Sequence, residues 1–417
     1  MQALADTLFV ILSGPWGWVA GAAALLVTIG LVAMMGRVRA LRGWKLRAIV
    51  LVVGLVGAAL LAAPFAINAS RMRSPLGPEA FQRATLTLPA PGVPGRVIGM
   101  DLWFPAQGPA TIDAGRGCDA LRALPLSAKA DEAIPLVLYI ARFKGDRADN
   151  IARMEELASH GYIVAAIDDI ALDDPDPDAS AQEAAARLHD WPQSSDEEIQ
   201  RSVALNTIRA GMEARKALAA LDSLAACAAS LLATPWSEKV DYDRVGFTGF
   251  SFGGAAATEA AIIDPRVAAV ANIDGTLFGK SFSQDIGAPY LFLRRDNSFP
   301  SAEALASGPM EQRGEAYFAA RDLARHARLA DQPGSGAYRI NGADHSSFSD
   351  ALFEPHASRQ WLLHDPISTF DATNAYLLDF LDMHLRGTTP RLIGKPTTDN
   401  LKVDSFEELG VLAASDP

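Results

Sequence analysis

A short stretch around one serine leaves few folds open to this chain. Residues 244–254 read RVGFTGFSFGG, an apolar strand that runs into Gly-x-Ser-x-Gly and then into a helix-forming run of small residues as far as Ile263. This order is typical of a nucleophile elbow, a sharp strand-to-helix turn with the serine at its tip. Glycine is needed at Gly249 and Gly253, where a side chain would collide with neighbouring backbone, and the following helix offers N–H groups to a developing oxyanion. The pattern therefore predicts Ser251 as a nucleophile.

Short apolar strands alternate with helices along the rest of the chain. The predicted strands are 136–139, 162–167, 244–250, 267–273, 290–293 and 338–340, and the predicted helices are 148–160, 195–228, 255–263, 301–329 and 371–387. A hairpin of strands 84–88 and 97–104 precedes them, whereas residues 108–131 look irregular. This alternation predicts an α/β fold with a mostly parallel, doubly wound sheet, as in the alpha/beta hydrolases. We expect this domain over residues 79–390, followed by an extended C-terminal tail over residues 391–417.

Residues 1–70 predict a transmembrane hairpin. Residues 18–35 and 48–66 are apolar runs of 18 and 19 residues, and residues 36–47 between them carry five positive charges and no negative charge. Each run is just long enough to span a bilayer, and a basic loop of this kind stays in the cytoplasm. The domain that follows a linker at residues 71–78 is therefore expected on the periplasmic side of the inner membrane. A signal peptide cleaved near residues 66–69 is the alternative, and it also exports the domain.

The charge of the chain argues against a nucleic-acid partner. The whole chain carries −12, but residues 1–73 contain seven basic side chains and one acidic side chain, so the remainder carries −18. Nucleic-acid phosphates would be repelled by a domain of this charge. The expected partners are an ester or phospholipid substrate and the membrane, and the sequence does not determine an oligomeric state.

Neither the cysteines nor the aspartates predict a metal centre. Cys118 and Cys227 are too few for a cysteine zinc site, and they form either one disulfide in an oxidising compartment or two unpaired apolar residues. Six aspartates lie within residues 168–178, but this segment lacks the glycine and the terminal glutamate of a calcium loop. We interpret it as a solvated acidic loop and expect no metal and no cofactor.

Two further side chains are required beside Ser251. A serine hydroxyl needs a histidine to take its proton and a carboxylate to hold that histidine in the right tautomer. In this fold the acid and then the histidine follow the serine along the chain, each on a loop after a strand. His345 follows the last predicted strand and is the candidate base. Asp274 follows the strand after the elbow helix and Asp296 follows the next strand, so position alone leaves both open as the acid.

Several of these segments are similar to the plasma-type platelet-activating factor acetylhydrolase family. The similar residues are GFSFGG at 249–254, Ile273 and Asp274 soon after the serine, His345 with Phe348 and Asp350, PLVL at 135–138 and LASHGYIVAA at 157–166. The resemblance runs from about residue 100 to residue 387 and leaves out the N-terminal hairpin. It implies a serine esterase or lipase that needs no calcium and cleaves phospholipids with a short or oxidised acyl chain.

The resemblance also implies roles for individual residues. It makes Asp274 the acid, and it assigns the oxyanion donors to the backbone N–H groups of Phe252 and Phe143. One departure concerns the second donor: where the family has a His-Gly-x-Gly turn, residues 141–145 read ARFKG and keep only a displaced glycine. Arg142 or Lys144 could then reach the substrate and favour an anionic group, or both could be solvated charges.

Three functions are compatible with the sequence. The favoured function is that of a membrane-anchored serine hydrolase that cleaves short-chain or oxidised phospholipid esters through an acyl-enzyme. The second is a general carboxylesterase or polyester hydrolase with the same three side chains. The third is a membrane-tethered binding protein that has lost catalysis.

Overall fold

The computed structural model describes residues 74–92, 95–127, 133–170, 179–190, 195–296, 321–353, 366–397 and 403–406, together with four positions near the N-terminus. The chain divides into two units, Met1–Ser74 with Asp350–Ser368 and Pro75–Ser349 with Thr369–Pro417. In the first unit, the described residues include the 3-10 helix Asp350–Phe353 and the four N-terminal positions, which are all helical.

The predicted transmembrane hairpin lies outside the described residues, apart from those four positions, Val52, Gly54, Leu55 and Gly57. Within the described part of the chain, no helix is both long and apolar enough to span a membrane. The hairpin and its topology therefore stay predictions.

The predicted linker ends earlier than the sequence indicated. Leu76 donates its backbone N–H to Oε2 of Glu156 at 3.0 Å, and Gly77 donates its backbone N–H to Oγ of Ser159 at 3.0 Å. Both residues fall in the range 71–78 that was assigned to the linker. They are bound to a helix of the second unit, and these bonds satisfy their backbone N–H groups.

A ten-stranded sheet forms the centre of the described part of the second unit. Its strands are β1 (Phe81–Pro89), β2 (Val97–Pro105), β3 (Thr111–Arg116), β4 (Leu136–Ile140), β5 (Ile163–Ile167), β6 (Val245–Phe250), β7 (Val267–Ile273), β8 (Tyr290–Arg294), β9 (Gly336–Ile340) and β10 (Val403–Ser405). They lie in the order β10-β9-β8-β7-β6-β4-β5-β2-β1-β3. All neighbours from β5 to β9 pair in parallel, while β2 is antiparallel to β1 and β5, and β10 is antiparallel to β9. The mostly parallel sheet agrees with the sequence prediction.

Helices cover both faces of this sheet. They are α1 (Cys118–Arg122), α2 (Ile151–Ser159), α3 (Ala181–Leu188), α4 (Asp196–Ser230), α5 (Pro235–Glu238), α6 (Phe252–Ile263), α7 (321–330) and α8 (Pro366–Leu381). Helices α4 and α6 belong to the cluster on one face, with Leu138 and Phe247, whereas α2 and residues 372–381 of α8 belong to the other, with Val137 and Tyr139. Because central parallel strands are buried on both faces, β4 is apolar and buried at every position.

The order of the strands reverses at β4. From β4 the chain goes to β5 on one side, and it later returns to β6 on the other side. In open α/β sheets, ligands bind at such a reversal, in the crevice outside the carboxyl ends of the strands. The loop after β4 and the turn after β6 border this crevice, so the fold positions the candidate site here.

The two edge strands were not predicted. Strand β3 lies in the region 108–131, which the sequence indicated as irregular, and β10 lies in the predicted tail at 391–417. No residue of β3 is fully buried, and β10 is three residues long. Exposed or short edge strands carry little of the apolar pattern by which a strand is recognised, because their partner, not their own sequence, decides their pairing.

Cys118 and Cys227 form a disulfide that joins α1 to α4, with their Cα atoms 4.9 Å apart. The pair closes a loop with a sequence separation of 109 residues. The choice that the sequence left open is thus decided in favour of a disulfide. A bond of this kind persists in an oxidising compartment, which is compatible with the predicted export of the domain.

Loss of this disulfide is expected to destabilise the domain strongly. We expect the double variant Cys118→Ser/Cys227→Ser to lose about 3–5 kcal/mol of the free energy of unfolding, because the cross-link restricts a long loop in the unfolded chain. Denaturant unfolding of the variant beside the oxidised protein measures the difference, and reduced wild type is the matched control. Equal midpoints for the oxidised and reduced wild type would contradict this prediction.

Candidate active site

Ser251 stands at the junction of β6 and α6. Its backbone has φ 56° and ψ −125°, and a residue other than glycine seldom adopts a φ of this sign. Two hydrogen bonds hold the strained residue: its N–H donates to the carbonyl of Ile273 at 2.8 Å, and its own carbonyl accepts from Gly254 at 2.9 Å. This is the geometry of a nucleophile elbow.

Glycines let the backbone close around this serine. A Cβ at Gly253 would lie 2.1 Å from the carbonyl oxygen of Ile140 at the end of β4, and a Cβ at Gly249 would lie 2.2 Å from the backbone of Gly253. A Cβ at Gly275 would lie 2.1 Å from the carbonyl oxygen of Ser251. All three clashes are with backbone, so no side-chain movement would relieve them. The tight contact also brings the start of α6 against the end of β4.

His345 lies against Ser251. It begins the 3-10 helix His345–Phe348, which follows β9, and its Nε2 is 2.9 Å from Oγ of Ser251. The ring of Phe250 packs beside the imidazole, with ring centroids 4.7 Å apart. The side chain of His345 is 41% exposed, so a substrate has access to it. In this position the imidazole can accept the hydroxyl proton of Ser251.

Asp274 completes the arrangement from the carboxyl end of β7. Its Oδ2 is 2.6 Å from Nδ1 of His345, and its side chain is 6% exposed. Its Oδ1 accepts from the backbone N–H of Arg295 at 3.2 Å, and the Arg295 guanidinium Nε is 3.8 Å from Oδ2. A carboxylate in this position accepts a hydrogen bond from Nδ1 of His345, and the tautomer with its proton on Nδ1 leaves Nε2 as an acceptor.

Asp296, the other candidate acid, is engaged elsewhere. Its Oδ2 accepts from the backbone N–H of Gly342 at 2.8 Å, and its Oδ1 lies 3.8 Å from the guanidinium of Arg339. These contacts hold the loop between β9 and His345. The structure thus brings Asp274, and not Asp296, into contact with the histidine.

A buried guanidinium lies near the acid. Arg294, the last residue of β8, is 5% exposed, and its pKa is lowered to about 10 mainly by burial, an effect that the negative charge of Asp274 opposes. At neutral pH Arg294 is therefore still charged, and its guanidinium attracts the side chain of Asp274.

Phe252 and Phe143, the two expected oxyanion donors, lie on adjacent segments. Phe252 is the first residue of α6 and directly follows Ser251, and Phe143 lies in the loop after β4. Their rings meet edge to face, with centroids 6.2 Å apart. The loop turns where Gly145 donates its N–H to the carbonyl of Arg142 at 2.8 Å, and Lys144 has a φ of 53°. A lysine thus takes the left-handed conformation that a glycine usually provides in such a turn.

The two charges of this loop are paired within the protein. Arg142 forms an ion pair with Asp149 at 3.0 Å, and Lys144 forms an ion pair with Asp190. Both side chains are nearly half exposed. The sequence left two alternatives for these side chains, direct contact with an anionic substrate or simple solvation. Neither describes them fully, because each side chain pairs with an aspartate of the protein.

The expectation of a solvated acidic loop is wrong for its first two members. Asp168 accepts from the backbone N–H of Arg147 at 2.9 Å, and Asp169 is fully buried in an ion pair with Arg209. Residues 171–178 lie outside the described residues. Asp169 and Arg209 were not predicted, because an arginine within a long helix is normally interpreted as a surface charge. A usable signal was the position of Asp169 directly after a buried strand, at the same carboxyl ends of the strands as Ser251.

The comparisons with known proteins agree with this fold. Residues 120–327 match the model of the Dienelactone hydrolase family, which is just under half of the chain. Among solved structures, a ferulic acid esterase from Streptomyces cinnamoneus is similar with a TM-score of 0.50 and 20% identity, over 80% of this chain and 98% of that chain. No curated protein matches the chain. The fold is thus alpha/beta hydrolase-like, while the narrower resemblance to the platelet-activating factor acetylhydrolases is shown by neither match.

Proposed function

We propose that the protein is a serine ester hydrolase in which Ser251 is the nucleophile, His345 the general base and Asp274 the residue that orients the base. The observation that carries this proposal is the continuous pair of hydrogen bonds from Oγ of Ser251 through His345 to Asp274, at 2.9 and 2.6 Å. The match to the Dienelactone hydrolase family and the likeness to a ferulic acid esterase support ester hydrolysis.

The proposed reaction proceeds through an acyl-enzyme. Oγ of Ser251 attacks the ester carbonyl carbon while its proton passes to Nε2 of His345, and the carboxylate of Asp274 stabilises the resulting imidazolium. The negative charge that develops on the carbonyl oxygen is received by the backbone N–H groups of Phe252 and Phe143. The leaving alcohol takes the proton from His345. A water molecule then attacks the acyl carbon while one of its protons passes to the same nitrogen. The bond from the acyl carbon to Oγ breaks as His345 returns that proton to Oγ, which releases the acid and restores Ser251.

The substrate class proposed within this function is a phospholipid ester with a short or oxidised acyl chain. The sequence resemblance is the first support. A second support is that Ile199, Ala255 and Phe278 pack with Phe252, with Phe143 beside them, so the side chains next to the donors are apolar. Apolar neighbours of this kind suit the acyl chain of a lipid ester. The general carboxylesterase is the competing substrate assignment.

We further propose that the N-terminal hairpin anchors the enzyme to the inner membrane, where it meets its substrate. Phosphatidylcholines with sn-2 chains of increasing length, presented in vesicles that contain the protein, test both proposals. We expect kcat/KM to fall about tenfold or more between the acetyl and the palmitoyl ester, which corresponds to about 1.4 kcal/mol in the activation free energy.

A truncated chain that starts at Pro75 is the matched comparison. It should lose activity on the vesicle substrate and keep its activity on nitrophenyl acetate, which reaches the site from solution. A flat dependence on chain length would favour the general carboxylesterase. Equal losses on both substrates, or no loss on the vesicle substrate, would show that the hairpin does not deliver the substrate.

A further inference from the structure

We infer that Arg209 and Asp169 are positioning residues that hold the backbone N–H of Phe143 in place as an oxyanion donor. This inference rests on the proposed function and deepens it, because it concerns the same site. The loop at residues 141–145 lacks a glycine-rich turn, and a buried ion pair behind the loop takes the place of that turn. Three contacts support this role.

The first contact fixes the guanidinium itself. Arg209 lies in the first half of α4, its side chain is 0% exposed, and its Nη2 donates to Oδ1 of Asp169, whose side chain is 1% exposed. Its Nη1 donates to the carbonyl of Arg187 at 2.7 Å, near the end of α3. The fork of the guanidinium is thus held from two directions, by the loop after β5 and by α3. A planar group bound on two sides has one orientation.

The second contact is between the guanidinium of Arg209 and the aromatic rings of Phe143 and Phe252, the two proposed donors. Its central carbon lies 4.5 Å from the centroid of the Phe143 ring and 5.6 Å from the centroid of the Phe252 ring. Cations are attracted to aromatic faces, and the attraction is stronger away from water. One buried side chain therefore touches both residues whose N–H groups must converge on the substrate oxygen.

The third contact clamps the backbone next to Phe143. Oδ2 of Asp169 accepts from the backbone N–H of Lys144 at 2.9 Å, and the backbone N–H of Asp169 donates to the carbonyl of Gly145 at 3.1 Å. Lys144 is the residue with the positive φ of 53°. Such a conformation is strained in a residue other than glycine, and it persists when its surroundings impose it. The clamp on Lys144 and Gly145 fixes the peptide that follows Phe143.

A neighbouring glutamate, Glu213, does not compete with Asp169 as the anionic partner of Arg209. Glu213 is also buried, one turn along α4, with Oε1 3.9 Å from Nε of Arg209. Burial and the charge of Asp169 raise the pKa of Glu213 to about 8, so it is mainly protonated at neutral pH. Its Oε1 accepts from the backbone N–H of Ile170 at 2.9 Å, which holds the segment that carries Asp169. A buried ion pair contributes little net stability, so a role in geometry accounts for its presence better than a role in folding.

Three variants test the inference: Asp169→Asn, Arg209→Lys, and the paired Arg209→Met/Asp169→Leu. Asp169→Asn leaves the buried charge of Arg209 uncompensated, and Arg209→Lys keeps the charge but loses the planar fork of the guanidinium. The paired variant removes both charges and is expected to fold with nearly the stability of the wild type. For all three, we expect kcat on nitrophenyl acetate to fall about 10²-fold, the loss typical of one oxyanion donor, with KM changed less than about threefold. The affinity for a trifluoromethyl ketone, whose adduct carries the oxyanion, should fall in proportion to kcat/KM.

Arg266→Lys is the matched control. Arg266 also forms ion pairs with carboxylates, those of Asp264 and Asp222. It directly precedes β7, at the opposite end of this strand from Asp274. Its replacement by lysine removes a paired guanidinium, and we expect no change in kcat or in ketone affinity. Thermal unfolding of each variant establishes the folded fraction to which kcat is referred.

A folded paired variant with wild-type kcat would overturn the inference, as would equal losses in the Arg266→Lys control. The proposed function fails by a different result, namely a wild type that neither hydrolyses the ester nor binds the ketone. If the wild type is active, Ser251→Ala is inactive and the paired variant keeps its kcat, then the inference alone is wrong.

Discussion

Replacement of Asp274 by asparagine is expected to lower kcat on any ester substrate about ten-thousand-fold, with little change in KM. An asparagine in this place fits the space and keeps one acceptor, but its amide group also offers a donor to Nδ1 of His345. The imidazole then carries its proton on Nε2 and cannot accept the proton of Ser251. The carboxylate is 6% exposed and 2.6 Å from the ring, so water does not substitute for it.

Asp296→Asn is the control for this prediction. The asparagine retains an acceptor for the N–H of Gly342 and loses only the attraction to Arg339, which lies at 3.8 Å from a partly exposed carboxylate. Exposed pairs of this kind contribute about 0–1 kcal/mol, so we expect kcat to change less than about fivefold. Steady-state kinetics with a single nitrophenyl ester gives both values. A larger loss for Asp296→Asn than for Asp274→Asn would reverse the assignment of the acid.

Ser251→Ala is expected to give a similarly large loss, at least about ten-thousand-fold in kcat. The members of such a group act as a unit, so the double variant Ser251→Ala/Asp274→Asn should be no less active than Ser251→Ala alone. Ser283→Ala, at an exposed serine after the 3-10 helix Gly279–Phe282, should keep full activity. Additive losses in the double variant would show that the two residues do not serve the same step.

The central part of the fold could be predicted from the sequence because its signals are local. The strands from β4 to β9 are short segments that are mainly apolar and mainly buried, and these segments alternate with helices. The elbow is visible because three backbone contacts around Ser251 exclude any side chain at Gly249, Gly253 and Gly275. Ser195 was also recognised as the start of α4, where its hydroxyl accepts from the N–H of Glu198.

Other features depend on contacts between distant parts of the chain. Asp274 and Asp296 both follow parallel strands. The sequence of neither segment shows which of the two aspartates lies close to His345. Asp169 and Arg209 are 40 residues apart in sequence, and each alone reads as a solvated charge. Their pairing, and its place behind Phe143, follows only once β5 lies beside β4 in the sheet and α4 is packed on the face that carries Leu138.

The short edge strands illustrate a related limit. β3 and β10 take their conformation from β1 and β9, to which they add backbone hydrogen bonds. Their side chains are largely exposed or few, so there is little apolar pattern to mark them. The N-terminal apolar runs, in contrast, have a strong sequence pattern. They predict membrane spans by composition alone, and they lie almost entirely outside the described residues.

Labelling with a fluorophosphonate, followed by mass spectrometry of the digested protein, tests the proposed function most directly. The reagent forms a stable adduct only with a serine that a neighbouring base activates. The account predicts one adduct, on Ser251, formed in step with the loss of esterase activity, and none on the Ser251→Ala variant. An adduct on a different residue, or hydrolysis that survives complete labelling of Ser251, would contradict it.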